Sequence, residues 1–237
     1  MGMGSGQLLA SISYMTDIIP EGCYYHSWRV ALLAEELASV VSPDLRKDVF
    51  YAGFLHDVGA VGAPFHITQY DTLRKQLDDP RIVGHPRRAA GVMQWLPGMN
   101  TAAQYARSHH EWWDGNGYPD GIAGDDIPLG SQILRIADTV SAGGCFLPES
   151  DLSTSFQSLG RLTGYAWSRD LWTSFLATTR NADFYNSLRD KSALPELIST
   201  KLRELGVPAE LEGEEGVERV LHVFAALVDL KDQATAG

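Results

Sequence analysis

The strongest constraint on this chain is a set of histidine and aspartate residues that recurs from residue 26 to residue 138. The set comprises His26, His56, Asp57, His85, His109, His110 and Asp138. Imidazole and carboxylate together are typical ligands of Fe, Mn, Zn and similar divalent ions. Because one ion takes roughly four to six donors, seven side chains suit two ions better than one. A fold that serves this set must bring five helical segments to one point.

Neighbouring members of the set indicate how two ions would share it. Adjacent residues on a helix point about 100° apart, so His109 and His110 suit two neighbouring ions better than one. A carboxylate such as Asp57 can bridge both ions through its two oxygens and place a hydroxide between them. Two ions roughly 3.5–4 Å apart clamp a phosphodiester and supply that hydroxide as the nucleophile. We therefore assign the catalytic roles to Asp57 and His56.

Apolar residues at helical spacing predict an all-α fold. The predicted helices cover residues 26–41, 42–59, 85–96, 100–113 and 128–143, and further helices follow. Ser42 as N-cap and Pro43 at the first helical position mark one helix start, and His85, with Pro86 in the first turn, marks another. No alternating runs flanked by hairpin turns indicate β-structure. We place a metal-binding catalytic domain at 1–145 and a helical extension at 146–237, where Ser, Thr and Leu dominate.

The last segment, residues 216–237, has an amphipathic helical pattern and admits two interpretations. It is a simple C-terminal helix, or it is the first helix of a second, truncated copy of the domain. The second interpretation rests on a faint similarity to residues 7–22, which lead into His26.

Charge and cysteine content exclude several classes of protein. The formal net charge is −11, which argues against binding of a large nucleic acid because that needs clustered Lys and Arg. Bound cations can still supply the positive charge that a small phosphate ligand needs. Two cysteines without a CxxC motif argue against a disulfide scaffold or a thiolate zinc site. No apolar run reaches about 18 residues and no signal peptide is recognisable, so we expect a cytoplasmic protein without a membrane span.

Several motifs together resemble the HD-GYP family of the HD phosphohydrolase superfamily. The resemblance covers roughly residues 26–143 and rests on "HD" at 56–57, His85, "HHEWWDGNGYP" from His109 and "IADTV" around Asp138. It implies an HD-type helical bundle around two or three iron or manganese ions. It also implies hydrolysis of cyclic di-GMP or a related cyclic dinucleotide in signalling, with the seven histidine and aspartate residues as the metal ligands.

The same resemblance suggests residues around the metal ions. It implies that Tyr118 and Pro119 lie in a loop beside the substrate channel. Trp113 is a candidate for stacking on a purine base, with core packing as the alternative. Glu111 is a candidate for orienting a ligand histidine, or else a solvated residue. Glu21 is the nearest candidate for the extra carboxylate that three-metal members use.

The chain departs from the family where phosphate would be held. Ala60 stands where the family has a lysine that resembles a phosphate contact, and "TVSAGGCFLPES" replaces the family's arginine-containing segment after the last aspartate. Arg87 and Arg88 are candidates for supplying the missing cation, and a solvated face is the alternative. His66 and His222 fall outside the pattern and are interpreted as structural or exposed.

Three hypotheses follow for function. The first is a metal-dependent phosphodiesterase that acts on a cyclic dinucleotide. The second is a cyclic-dinucleotide receptor or regulatory module that binds metal with little turnover, which Ala60 and the replaced arginine segment favour. The third and weaker one is a phosphohydrolase for another nucleotide. Association into a homodimer is left open.

Overall fold

The protein is described here by a computed structural model that covers residues 4–18, 24–61, 77–147 and 149–235. Within these ranges the chain forms α-helices joined by short 3₁₀ turns, and no β-strand is present. The helices are α1 (Ser5–Asp17), α2 (His26–Val41), α3 (Arg46–Leu55), α4 (Pro80–Met93), α5 (Asn100–Arg107), α6 (Leu129–Ala142), α7 (Leu152–Leu159), α8 (Arg169–Thr178), α9 (Ala182–Ser187), α10 (Leu194–Leu205) and α11 (Gly213–Thr235). The predicted all-α class is confirmed.

Helix α2 is the centre of the bundle. Most of its side chains are buried on every face, as expected of a helix that neighbours surround. It packs most extensively against α3 and α6, while α4 packs on α5 and on the turn that follows α3, and α5 packs on α3. This arrangement directs the ends of α2, α3 and α5 and the middle of α4 and α6 towards one buried point.

One close approach depends on a glycine. Helix α4 packs directly on the 3₁₀ turn Val58–Ala60 that follows α3. A Cβ atom at Gly59 would lie 2.2 Å from the His85 carbonyl oxygen and 2.4 Å from the Ala89 nitrogen. Only glycine therefore allows the two backbones to come this close.

Two predicted helix starts differ from the structure. Pro43 opens a 3₁₀ turn, Pro43–Leu45, and α3 begins only at Arg46 and ends at Leu55 rather than at residue 59. His85 does not open its helix, because α4 begins at Pro80, where the Asp79 carboxylate accepts a hydrogen bond from the backbone of Arg81. Asp79 followed by Pro80 is a strong helix start. The helix therefore begins before His85, and Pro86 lies inside α4 instead of in its first turn.

The C-terminal part of the chain packs on the N-terminal part. Trp167, Phe175 and Leu194 belong to the same hydrophobic core as Leu33, and the predicted division at residue 145 stays a prediction. Helix α11 lies against α1, and Lys231 Nζ donates hydrogen bonds to backbone carbonyls at the end of α1. Both interpretations of the last helix stay open. No helix within the described ranges is long and apolar enough to cross a membrane.

Candidate metal centre

The structure brings all seven predicted ligands into one buried cluster. His26 Nε2 lies 3.3 Å from Asp138 Oδ1, and His56 Nε2 lies 4.0 Å from the same oxygen. These three residues form the first group. The second group consists of His85, His109 and His110, and the Nε2 atoms of His85 and His109 lie 3.3 Å apart. Residues from five separate segments of the chain are therefore adjacent in space, as the sequence predicts.

Asp57 lies between the two groups. Its Oδ2 atom is 3.3 Å from His56 Nε2 and 3.8 Å from His26 Nε2. Its Oδ1 atom is 3.2 Å from His85 Nε2, in the second group. Each carboxylate oxygen therefore faces a different set of histidines, which is the arrangement that a bridging ligand requires.

Backbone carbonyls orient three of the five histidines. The Nδ1 atoms of His56, His85 and His109 lie 2.8, 2.6 and 2.5 Å from the carbonyl oxygens three residues earlier, those of Gly53, Ile82 and Ala106. A carbonyl only accepts, so each Nδ1 carries the proton and each Nε2 presents its lone pair to the cluster. The direction of these rings suits metal coordination through Nε2.

The three accepting carbonyls are available for a common reason. Those of Gly53 and Ala106 lie in the last turns of α3 and α5, where the helix provides no further amide donors. The Ile82 carbonyl lies inside α4, but the residue four positions later is Pro86, which has no N–H. The proline that looked like a helix start in the sequence thus frees the carbonyl that orients His85.

A serine orients the fourth histidine. His26 Nδ1 lies 2.9 Å from Ser141 Oγ, and this hydroxyl is also 3.4 Å from the His26 carbonyl oxygen, to which it can donate. The hydroxyl then accepts from Nδ1, which again leaves Nε2 as the inward-facing lone pair. Ser141 is not among the predicted site residues, although its place three residues after Asp138 on α6 puts both side chains on one helix face.

Replacing Ser141 with alanine is expected to weaken the affinity for the ion of the first group by about 10–100-fold, the usual effect of removing a partner of a ligand histidine. Competition with a metal chelator measures this change. Ser158→Ala, at an exposed serine of α7, is the matched control and should have no effect. Unchanged metal affinity in Ser141→Ala would show that Ser141 does not hold His26.

His110 is oriented by a different kind of partner. Its Nδ1 atom lies 2.7 Å from a terminal nitrogen of Arg135, and the same guanidinium nitrogen is 3.6 Å from Asp138 Oδ2. Tyr118 stacks on a face of the His110 ring, with 4.7 Å between the ring centroids. Arg135 was not predicted as a site residue.

Electrostatics keep most of these imidazoles neutral. Burial, followed by the neighbouring histidines His56 and His85, lowers the pKa of His109 to about 3. Burial is also the largest cause that lowers the pKa values of His56 and His110. The pKa of His26 is raised instead: burial, its largest single effect, lowers it, but nearby carboxylates led by Asp138 outweigh burial. Neutral imidazole is the form that binds metal.

Divalent cations fit this donor set. His56 Nε2 and His110 Nε2 are buried and make no hydrogen bond with the described part of the chain. Buried polar atoms normally have partners, and ring nitrogens that face inward beside buried carboxylates are suited to a cation. The expectation of divalent metal binding agrees with this chemistry, while the choice of iron or manganese and the role of each ligand stay predictions.

The loop after the paired histidines is held by Glu111 and by close backbone contact. The Glu111 carboxylate accepts hydrogen bonds from the amides of Asp120 and Gly121, at 2.7 and 3.0 Å. It therefore shapes the loop, and no contact with a ligand histidine accompanies this role among the described residues. A Cβ at Gly117 would lie 2.3 Å from the Trp112 nitrogen, so this position requires glycine. Tyr118 is buried against the cluster, and Pro119 is half-buried beside it.

Three predicted substrate contacts are engaged elsewhere. Arg87 donates to the Pro119 carbonyl and to the Asp120 carboxylate, 2.5 Å away. Arg88 donates to the backbone carbonyls of Gly59 and Arg81. Trp113 lines a cavity against α8 that includes none of the seven predicted ligands. These directions are set by packing between distant segments, which the local sequence does not encode.

Other predicted residues have simple outcomes. His222 is exposed on α11, in agreement with its interpretation. Glu21 and His66 lie outside the described residues.

Comparison with known families identifies the class of protein. The sequence model of the HD domain family matches residues 13–163, more than half of the chain. The chain belongs to the HD domain family, which confirms the resemblance inferred from the motifs.

Curated relatives cover part of this chain. A probable cyclic di-GMP phosphodiesterase of Vibrio cholerae is 35% identical over 132 residues, which are 49% of this chain and 30% of that protein. The 3'3'-cGAMP-specific phosphodiesterase 1 of the same organism is 29% identical over 59% of this chain and 32% of that protein. A cyclic di-GMP phosphodiesterase of Thermotoga maritima is 26% identical over 69% and 46%, respectively. The chain thus spans less than half the length of these relatives.

A solved structure shares the fold. The crystal structure of a cyclic GMP-AMP specific phosphodiesterase from Vibrio cholerae matches with a TM-score of 0.74 at 19% identity. The match covers 98% of this chain and 61% of that chain. The predicted HD-type helical fold is therefore confirmed.

Proposed function

We propose that this chain is a metal-dependent phosphodiesterase that hydrolyses a cyclic dinucleotide, cyclic di-GMP or a related one. The position of Asp57 supports the proposal most, because its two oxygens face different histidine groups. A carboxylate so placed joins two cations, and paired cations are suited to phosphodiester hydrolysis. The names of the relatives point to the same class of substrate.

In this proposal two divalent cations, iron or manganese, supply Lewis acidity and an activated water when bound. The first group would hold one cation, the second group would hold the other, and Asp57 would be shared. Backbone carbonyls and Ser141 keep four imidazoles in the tautomer that coordinates through Nε2. Tyr118 shields the face of the His110 ring from water.

A receptor that binds a cyclic dinucleotide with little turnover is the second candidate. Ala60 favours it, since the family's lysine is absent there, and Arg87 and Arg88 are engaged with protein groups. Fewer cationic side chains would then contact phosphate than in the family that the sequence resembles. A phosphohydrolase for another nucleotide remains the weaker alternative.

Anaerobic purification followed by metal analysis and assay tests both candidates. We expect close to two ions of iron or manganese per chain, and metal-dependent hydrolysis of cyclic di-GMP or 3'3'-cGAMP that a chelator abolishes. Only a trace of metal after expression in supplemented medium would contradict the proposal. Tight binding of the dinucleotides without any product would favour the receptor.

Two further predictions concern the setting of this activity. The low cysteine content supports a cytoplasmic location, because disulfides are rare there. A homodimer stays an open alternative, which measurement of the molar mass in solution would decide.

A further inference from the structure

Arg135 is a cation placed at the metal centre. It lies on α6, one turn before Asp138, and its side chain is 11% exposed. Its guanidinium contacts His110 of the second group and approaches Asp138 of the first. The face of the Trp112 ring lies 5.9 Å from the guanidinium carbon, which favours a cation at this position. Arg135 therefore adjoins both ligand groups.

Within the described part of the chain, the hydrogen bond of Arg135 to His110 leaves donors of the guanidinium available. Arginine offers five N–H donors, and one terminal nitrogen is hydrogen-bonded, to His110. The Arg135 Nε is buried and has no hydrogen-bond partner among the residues that the structure describes. Arg87 and Arg88 differ, because both direct their donors to carboxylate or carbonyl oxygens of the protein. Arg135 is thus the better suited of the three to receive an anionic ligand.

The contact with His110 has a chemical consequence. A guanidinium only donates, so His110 Nδ1 must accept and the ring proton must reside on Nε2. Coordination through Nε2 requires the opposite tautomer, in which Nδ1 keeps its proton. Arg135 and a cation coordinated at Nε2 would therefore compete for His110, and a bound cation would leave a further guanidinium donor available. Two divalent cations, two aspartates and this arginine also leave a net positive charge, which an anion would balance.

We propose that Arg135 binds a phosphate group of the ligand over the metal centre. This inference rests on the proposed function for the identity of the ligand. Guanidinium and phosphate match in geometry, since parallel N–H donors can meet two phosphate oxygens. Arg135 is then a residue that determines specificity for phosphate at this site.

Binding measurements on metal-loaded protein test this role. Arg135→Met and Arg135→Gln are compared with the wild type, with inorganic phosphate and cyclic di-GMP as separate probes and metal content determined for each sample. Both variants should keep at least the wild-type metal content, because a competitor for His110 is removed. Affinity for both probes should fall about tenfold or more, since a charge-assisted contact is lost. The glutamine variant carries the test if the methionine variant does not fold.

Control variants separate this role from a structural one. Arg219→Met removes an exposed arginine of α11 and should change nothing. Arg87→Met and Arg88→Met test the alternative derived from the sequence, and a larger loss in either than in Arg135→Met overturns the inference. The inference is also overturned if the Arg135 variants lose metal and this loss accounts for the whole loss of binding. Unchanged affinity per loaded protein overturns it as well.

The outcome for Arg135 is distinguishable from that for the proposed function. A wild type that binds inorganic phosphate through Arg135 but neither binds nor hydrolyses cyclic dinucleotides keeps the inference and removes the proposed function. If the wild type hydrolyses cyclic di-GMP and Arg135→Met has the same KM and kcat, the proposed function is kept and the inference about Arg135 is removed.

Discussion

Asp57→Ala is expected to remove both metal ions, whereas changing one histidine to alanine mainly removes the ion of its own group. The reason is geometric, since the Asp57 oxygens lie 3.3 Å from His56 Nε2 and 3.2 Å from His85 Nε2. Metal content per chain after anaerobic purification should fall from about two ions to nearly none. His56→Ala and His85→Ala should each retain more metal than Asp57→Ala.

The exposed His222 provides a matched control for the histidine changes. His222→Ala should keep the wild-type metal content. Circular dichroism checks that every variant is folded. If Asp57→Ala keeps its full metal content, Asp57 is not the bridging ligand, and the two groups are independent sites.

Gly59→Ala is expected to separate His85 from Asp57 without altering any ligand. The added Cβ would lie 2.2 Å from the His85 carbonyl oxygen and 2.4 Å from the Ala89 nitrogen. Both are backbone atoms of α4, so the helix itself must move. Such overpacking costs about 1–3 kcal/mol of folding free energy. We expect this destabilisation together with loss of the ion held by the second group, measured by denaturant unfolding and metal analysis.

Gly91 on the same helix offers the control. A Cβ there meets nothing within 4 Å, and alanine in an exposed helix interior stabilises by roughly 0.5–1 kcal/mol relative to glycine. Gly91→Ala should therefore keep its metal and gain stability. Wild-type metal content in Gly59→Ala would mean that α4 can shift without carrying His85 away from the centre.

That the seven predicted ligands lie together could be predicted from the sequence, because five of them are histidines at recognisable places and the chain has only seven histidines. Their helix positions were predicted less well, since the Asp79 cap that starts α4 was overlooked. The directions of Arg87, Arg88 and Glu111 could not be predicted. Each is fixed by a partner from another segment, and the choice among partners depends on tertiary packing.

Arg135 was missed for a related reason. One arginine on an amphipathic helix normally indicates a solvated face. It becomes noticeable only when α6 packs beside the turn that carries His110, because the two residues are 25 positions apart in the chain. Ser141 is similar, with 115 positions between it and His26.

The carbonyl partners of His56, His85 and His109 have a consequence for how this centre can diverge. A backbone carbonyl is present whatever side chain its residue carries, so substitutions at Ile82 and Ala106 leave the acceptors of His85 and His109 chemically unchanged. Gly53 differs, because an added Cβ there would lie 2.9 Å from the Ala31 backbone and would displace the helix that positions His56. Two ligand histidines, by contrast, have side chains as partners, namely Ser141 for His26 and Arg135 for His110. Substitutions that change metal preference by changing the partner of a ligand are therefore expected mainly at these two positions.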